Sequence, residues 1–100
     1  MPRSDIERIR QRIRHRQYDM SAHAMEEMAE DGLDLVNVEH AVLHGEITRI
    51  ERDDPRGTKH VIEGMAANEP QFVGVVGRFV ETGRYLVITV YALRNNHEDF

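Results

Sequence analysis

Two apolar runs in the second half of the chain constrain the fold more than any other feature. Residues 71–80 and 84–93 are rich in valine, isoleucine and aromatic side chains, which favour extended strands. The tetrapeptide ETGR connects them as a short hairpin turn, and its glycine, Gly83, can supply the positive φ that such a turn needs. Apolar residues occupy both faces of each run, so we predict two central antiparallel strands.

Two shorter segments complete the predicted sheet. Residues 46–52 are charged, as expected for an edge strand, and residues 59–65 are more apolar. The sequence DDPRG between them contains proline and glycine and predicts a turn. Gly74 and Gly77 inside a strand indicate a bulge or a close approach by a helix. The second half of the chain therefore predicts a four-stranded antiparallel sheet.

The start of the chain is distinguished by its arginines. Ile6, Ile9 and Ile13 form a narrow apolar stripe, which predicts a leading helix within residues 1–17 that needs a partner surface to hold it. Residues 1–16 contain six arginines and two carboxylates, a net charge of +4, whereas the rest of the chain carries −9. We expect the basic helix and the acidic body to attract each other, within one chain or between chains. Contact with phosphate is the alternative.

Two further helices are predicted, one over residues 22–31 and one over residues 35–44. Ser21 and Asp34 are suitable N-caps, and a glycine follows each helix. The short link GLD makes the pair an αα-hairpin. We assign the following residues to the inward faces, with the methionines as core filler: Ala22, Met25, Met28, Ala29, Leu35, Val38, Ala41 and Val42.

The order of these elements, three helices and then four strands, defines the fold class that we expect. It is an α+β domain in which the αα-hairpin and the Arg-rich leading helix pack on one face of the four-stranded antiparallel sheet. One hundred residues suit a single domain, 1–100, with a frayed tail at 94–100. We find no cysteine, no secretory signal and no apolar run of membrane-spanning length, so we expect a cytoplasmic protein without membrane contact.

Few motifs of known chemistry occur in the sequence. G-x-S-x-G, the P-loop and H-E-x-x-H are all missing. His40 and His44 have the i, i+4 spacing of a metal pair, but a third ligand is not evident. The helical wheel places both on the solvent face with Asn37, where surface polar residues are the simpler interpretation. We expect no bound metal and no small-molecule cofactor.

His23 is the candidate for proton transfer. It follows the Ser21 cap at the positive end of a helix dipole, which favours a neutral imidazole that can accept a proton. Glu26 or Glu27 could instead hold the ring as a charged partner, so both protonation states stay open. A purely local role at the start of the helix is the alternative.

The sheet half offers two further candidates. Tyr91 is predicted to share one face of the last strand with Tyr85, Val87 and Thr89, because side chains two residues apart point the same way. Arg56 lies in a short basic cluster that begins in the DDPRG turn. Both side chains could contact a substrate, or they could belong to an ordinary half-buried strand and a solvated turn.

Three segments, taken in order, resemble the family called domain of unknown function 4258. They are MSAHAMEEMAEDGLDLVNVEHAVLHGEI, DDPRGTKHVI and FVGVVGRFVETGRYLVITVYAL, and the similarity covers residues 20–93. The shared pattern is S-x-H-A on a helix, a helix ending in G-E-I, an acidic turn with Arg-Gly, and a closing I-T-V-Y. The leading helix 1–17 lies outside the similarity.

This family looks like a distant branch of the RelE/ParE/BrnT-type toxin superfamily. The resemblance implies a RelE-like sheet with packed helices and an endoribonuclease site on the open face of the sheet. By that resemblance His23 would be the base or acid, Arg56 would bind phosphate and Tyr91 would orient it. Glu27 stands where relatives carry a helix arginine, and a carboxylate at that place disfavours phosphate.

Two functions follow as hypotheses. The first is a small protein-interaction or regulatory module whose partner is another protein or a second copy of the chain. The alternative is a metal-independent, toxin-like endoribonuclease that acts on RNA through His23, Arg56 and Tyr91.

Overall fold

The computed structural model describes residues 4–67 and 70–93 and has an α+β architecture of three helices and a five-stranded mixed sheet. The predicted tail at 94–100 lies outside the described residues. The strands are arranged in the order β1-β5-β4-β3-β2. The elements, in chain order, are α1 (Asp5–Arg14), β1 (Tyr18–Met20), α2 (Ala22–Glu30), α3 (Leu35–His44), β2 (Glu46–Glu51), β3 (Lys59–Met65), β4 (Phe72–Phe79) and β5 (Tyr85–Leu93).

Strand β1 is the element that the sequence did not reveal. The antiparallel pairs β2–β3, β3–β4 and β4–β5 are confirmed. The sheet nevertheless has five strands instead of four, because Tyr18–Met20 pairs in parallel with Tyr85–Val87. Three residues with a charged centre carry too little periodicity to be recognised as a strand. The pairing is set instead by long-range hydrogen bonds at both ends, from the Tyr85 amide to the Gln17 carbonyl (3.1 Å) and from the Ser21 amide to the Val87 carbonyl (2.9 Å).

The starts of the helices follow the predicted capping chemistry. The Ser21 hydroxyl accepts a hydrogen bond from the Ala24 amide (3.0 Å), and an Asp34 carboxylate oxygen accepts one from the Asn37 amide (3.1 Å). Ser4 is the N-cap of α1 and forms a reciprocal capping box with Glu7. These bonds satisfy amides that a helix cannot pair internally.

The ends of α1 and α2 use the same motif with different residues. In α1 the Arg16 amide bonds to the Ile13 carbonyl (3.1 Å) and the Gln17 amide to the Arg12 carbonyl (2.8 Å). This Schellman arrangement requires a left-handed residue, which is Arg16 at φ 55° in α1 and Gly32 at φ 68° in α2. Arginine pays a steric cost there that glycine avoids.

We therefore expect Arg16→Gly to raise the free energy of unfolding by up to about 1 kcal/mol, because glycine adopts a left-handed φ without a Cβ clash. Urea unfolding measures the change. Gln17→Gly is the matched control: Gln17 is the next exposed residue and has no positive φ, so glycine there should destabilise by about 0.5 kcal/mol. Equal effects at the two positions would contradict the assignment of strain to Arg16.

One face of the sheet carries the core. α3 packs on β3 and β4, α1 packs on α3 and β5, and α2 runs along β5. The buried side chains of all three helices join those of the sheet in one cluster. Its fully buried members include Ile9, Val38, Val42, Ile62, Val73, Val75, Tyr85, Val87 and Val90.

Helix α1 is a full part of this core. Ile9 and Ile13 are buried against the sheet and α3, as the apolar stripe predicted. The Arg10 guanidinium donates to the Val42 and Gly45 carbonyls (3.3 and 2.6 Å), and Arg12 donates to the Gly83 carbonyl (2.7 Å). Within the chain these two arginines therefore donate to backbone carbonyls, and the attraction between the basic helix and the acidic body stays a prediction.

A buried histidine also ties α1 to the sheet. His60 of β3 is buried, with Nε2 3.5 Å from Asp5 of α1 and Nδ1 3.4 Å from the Tyr85 hydroxyl. Burial lowers the pKa of His60, and the nearby Asp5 carboxylate opposes that shift. The Arg8 guanidinium lies 4.4 Å from the centre of the Phe79 ring beside this group, in cation–π geometry.

Several predicted inward faces were wrong. Met25 (54% exposed) and Leu35 (44% exposed) face solvent, as do Ala22 and Ala29. Helix α2 lies along the edge of β5, so only the narrow stripe of Ala24 and Met28 is covered. The assignment of methionines to the core holds for Met28 but not for Met25.

Asn37 was predicted on the solvent face of α3 and is buried instead. Its side-chain oxygen accepts a hydrogen bond from the Ala67 amide (3.1 Å), which explains how a polar side chain is tolerated there. In the described ranges 4–67 and 70–93, no helix is long and apolar enough to cross a membrane.

Candidate functional site

The sheet face opposite the core is the candidate site, and we call it the open face. Paired residues of neighbouring strands point to the same side, so the strand register identifies its members. None of them belongs to the core cluster that the described helices cover. From one end to the other, the rows across the strands are Glu51, Lys59, Arg78 and Leu86; Arg49, Val61, Val76 and Thr89; Glu46, Glu63, Gly74 and Tyr91; and Met65, Phe72 and Leu93.

A bulge in β5 decides which hydroxyl groups reach this face. Thr89 pairs with Val76, but Val87 pairs with Gly77, so Ile88 is an extra residue. The alternation of side chains therefore reverses within the strand. Tyr91 and Thr89 lie on the open face, while Tyr85 and Val87 are buried in the core, so the prediction of one shared face was wrong.

Tyr91 lies flat across the neighbouring strand. It pairs with Gly74, and a Cβ atom built on Gly74 would stand 2.7 Å from the tyrosine Oη atom, so the ring occupies the space that the glycine leaves. Partial burial raises the pKa of Tyr91, Glu63 raises it further and Arg49 opposes them. The hydroxyl is thus directed across β4 towards β3.

His23 lies on the opposite side of β5, in the first turn of α2. Its ring is exposed, and its Nε2 atom is 3.3 Å from a Glu27 carboxylate oxygen. The other Glu27 oxygen accepts a hydrogen bond from the Val90 amide (3.0 Å), and Asp31 accepts one from the Ala92 amide (3.0 Å). Glu27 therefore has a structural role. Together with Asp31 it accepts hydrogen bonds from backbone amides of β5 that lie past the segment paired with β1.

Arg56 lies in the turn between β2 and β3. Its backbone amide donates to Asp54 (2.8 Å), and its guanidinium forms an ion pair with the same carboxylate (3.3 Å). The backbone hydrogen bond and then the side-chain hydrogen bond lower the pKa of Asp54 to about 2. The positive charge of Arg56 is thus already paired with the Asp54 carboxylate in the same turn.

The structure does not bring His23, Arg56 and Tyr91 together. Each has its own partner, and Tyr91 is directed away from the edge on which His23 lies. Glu63 of β3 marks the row in which Tyr91 lies, and it is four residues, about 13 Å, from Lys59 at the start of β3. Arg56 precedes Lys59 and is therefore farther still from Tyr91. One phosphate group could not contact all three side chains in this arrangement.

Sequence reasoning did not show that Lys59 and Arg78 are neighbours on the open face. Lys59 and Arg78 each lie one residue beyond the pair His60 and Gly77, so they are neighbours across strands. Lys59 contacts Glu51 and Asp54 (both 3.5 Å), whereas Arg78 makes no ion pair with any residue that the structure describes. Only the pairing of distant strands, which a single sequence does not display, places them together.

The two candidate metal ligands on α3 lie side by side. The rings of His40 and His44 have centroids 4.3 Å apart, and the Nδ1 atom of His40 is 2.8 Å from the Met65 carbonyl oxygen. Among residues 4–67 and 70–93, no group of three or more histidine, cysteine, aspartate or glutamate side chains could hold a metal ion. A metal at this pair would thus depend on water for its other ligands.

Comparison with known proteins gives one match. No curated protein and no solved structure matches the chain. The family described as domain of unknown function (DUF4258) matches residues 20–92, a segment that begins at the last residue of β1 and leaves α1 outside. Since this match covers well over half of the sequence, the chain belongs to the DUF4258 family.

Proposed function

We propose that the chain is a small protein-interaction module that binds an acidic, partly apolar polypeptide segment on its open face. The observation that carries the proposal is Phe72, which is 52% exposed on a sheet face that none of the described helices covers. A large aromatic side chain left in water on an exposed strand is a typical feature of a binding surface.

Phe72 belongs to an apolar row at one end of the open face. Met65 and Leu93 pair with it on either side, and Met65 is also exposed. The Tyr91 ring, packed over Gly74, extends this apolar surface by one row towards the middle of the sheet. Covering such side chains removes apolar area from water, which is the main favourable contribution to association.

The other end of the open face carries three cations and one carboxylate, Glu51, which forms ion pairs with Arg49 (2.6 Å) and Lys59 (3.5 Å). Lys59 and Arg78 are neighbours there, and Arg49 is in the next row. Arg78 is six residues after Phe72 along β4, about 20 Å, which suits an extended segment of similar length. A partner with apolar residues at one end and carboxylates at the other would match both ends, and the charges would fix its direction.

The ribonuclease alternative has less support from the geometry. Cleavage by the RNA 2′-hydroxyl requires a base and a phosphate-binding cation within reach of the same phosphate. His23, Arg56 and Tyr91 lie apart as described, and Glu27 adds a carboxylate beside the histidine. The RelE-like relationship and a cytoplasmic location stay predictions that follow from the resemblance and the composition.

Binding of a probe peptide tests the proposal. A fluorescent peptide of alternating glutamate and leucine is titrated with the protein, and anisotropy reports binding. We expect Phe72→Ser and Arg78→Glu each to weaken binding at least about tenfold, since each removes the main contact at its end of the open face. Val36→Ser is the matched control, because Val36 is 55% exposed but lies on α3.

Two results would contradict the interaction function. One is equal binding by the Phe72→Ser and Val36→Ser variants, and the other is equal binding of a lysine–leucine peptide. RNA is the competing ligand: cleavage of mixed RNA in EDTA that is lost in His23→Ala would support the ribonuclease instead. Light scattering of the unliganded protein and of Phe72→Ser shows whether a second copy of the chain occupies the same face.

A further inference from the structure

We infer that His40 and His44 form a binding site for one divalent first-row transition metal ion, with Cu²⁺ preferred. The site lies at the C-terminal end of α3 and includes no side chain of the open face. Three observations support it: the orientation of the His40 ring, the spacing of the two rings, and the position of the pair at the end of the helix.

The hydrogen bond of His40 determines which nitrogen is available. Nδ1 is 2.8 Å from the Met65 carbonyl oxygen, and a carbonyl can only accept a hydrogen bond. Nδ1 therefore carries the hydrogen, and in the neutral ring the lone pair is on Nε2. Metal-binding histidines almost always have their other nitrogen bonded to a carbonyl or carboxylate in this way. His40 is thus already held in a metal-binding tautomer.

The ring spacing is short enough for two ligands on one ion. A metal–nitrogen bond of about 2.1 Å places each ring centroid about 3.2 Å from the metal. Two such centroids are about 4.5 Å apart at a right angle and about 5.2 Å apart at a tetrahedral angle. The observed separation of 4.3 Å, with the ring planes 34° apart, brings both rings within reach of one ion.

The position of the pair also favours a cation. His44 is the last residue of α3, where the negative end of the helix dipole stabilises positive charge. The i, i+4 spacing keeps both rings on one helical face, and the ring of His44 is accessible to solvent. With two protein ligands and the rest water, we expect an open and exchangeable site, in which the Irving–Williams order places Cu²⁺ first.

Titration of the metal-free protein with Cu²⁺ alone tests the site. We expect one tight equivalent per chain, and an electron paramagnetic resonance spectrum with hyperfine coupling to two imidazole nitrogens. His44→Gln should weaken this equivalent at least about tenfold, because a single imidazole remains. His23→Gln is the matched control, since His23 is an exposed histidine on a neighbouring helix, and it should leave the affinity unchanged.

Two results would overturn the inference. Undiminished Cu²⁺ affinity in the double variant His40→Gln/His44→Gln would place the metal elsewhere in the chain. A spectrum with coupling to one nitrogen only would show that the rings do not act together. Circular dichroism of the metal-free variants confirms folding, which we expect to persist because glutamine is a good helix former. Peptide binding to the open face is measured in parallel, and its failure would leave this inference intact.

Discussion

Gly64→Ala is expected to lower the free energy of unfolding by at least about 3 kcal/mol, because overpacking against rigid backbone cannot relax by rotation of a side chain. A Cβ atom at this position would stand 2.8 Å from the Gly45 Cα atom and 2.9 Å from the Ala41 carbonyl carbon, with the Ala41 oxygen nearer still. All of these atoms belong to the backbone at the end of α3. The helix rests on β3 through this glycine contact, so the variant must separate the two elements.

Gly74→Ala is the matched control for this prediction. Gly74 is also a strand glycine, but an added Cβ atom would meet only the Tyr91 side chain. The tyrosine can rotate towards solvent, so we expect a loss of about 1–2 kcal/mol, much of it removed when Tyr91→Ala is added. Urea unfolding of the three variants measures the differences. A cost at Gly64 no larger than at Gly74 would mean that α3 is free to move away from β3.

Ile9→Ala is expected to destabilise the protein by about 3 kcal/mol, the usual cost of removing a fully buried isoleucine side chain from a packed core. Ile9 is 0% exposed between the sheet and α3. Ile6→Ala is the matched control, because Ile6 lies one turn earlier on α1 and is only partly buried. It should cost about 1 kcal/mol or less. Thermal or urea unfolding provides the measurement.

This second prediction separates two views of the leading helix. The segment lies outside the DUF4258 match, and a loosely docked arm would tolerate Ile9→Ala with little change. The buried isoleucines and the bonds of Arg10 and Arg12 to carbonyl oxygens indicate instead that α1 completes the core. Deletion of the helix is therefore a poor test of any binding role, because it should unfold the rest of the domain.

Local features of the sequence predicted the local features of the fold. Ser21 and Asp34 cap their helices as expected, and Gly83 adopts a φ of 90° in the turn before β5. These signals need only a few neighbouring residues, since capping and turn formation are short-range chemistry. Strand β1 depends on a partner far along the chain, and the three residues Tyr18–Met20 have no local pattern that predicts a strand.

The candidate site was harder to predict, because it depends on how strands pair. The bulge at Ile88 reverses which side chains of β5 face the core. A prediction that assumes strict alternation along the strand cannot detect this change. Lys59 and Arg78 are distant in sequence and become neighbours only through the β3–β4 register. In contrast, His40 and His44 share one helix, so their spacing alone predicted that the two rings could meet.

The carboxylates of Glu27 and Asp31 also determine how copies of this protein can aggregate. By occupying amides of β5 past the end of β1, they leave two outer strands of unequal length, the three residues of β1 and the six of β2. An assembly that grows by strand addition needs two free edges on every subunit. In the described part of the chain β1 offers an edge of only three residues, so we expect strand addition to favour β2, and a pair joined β2 to β2 to extend poorly through β1.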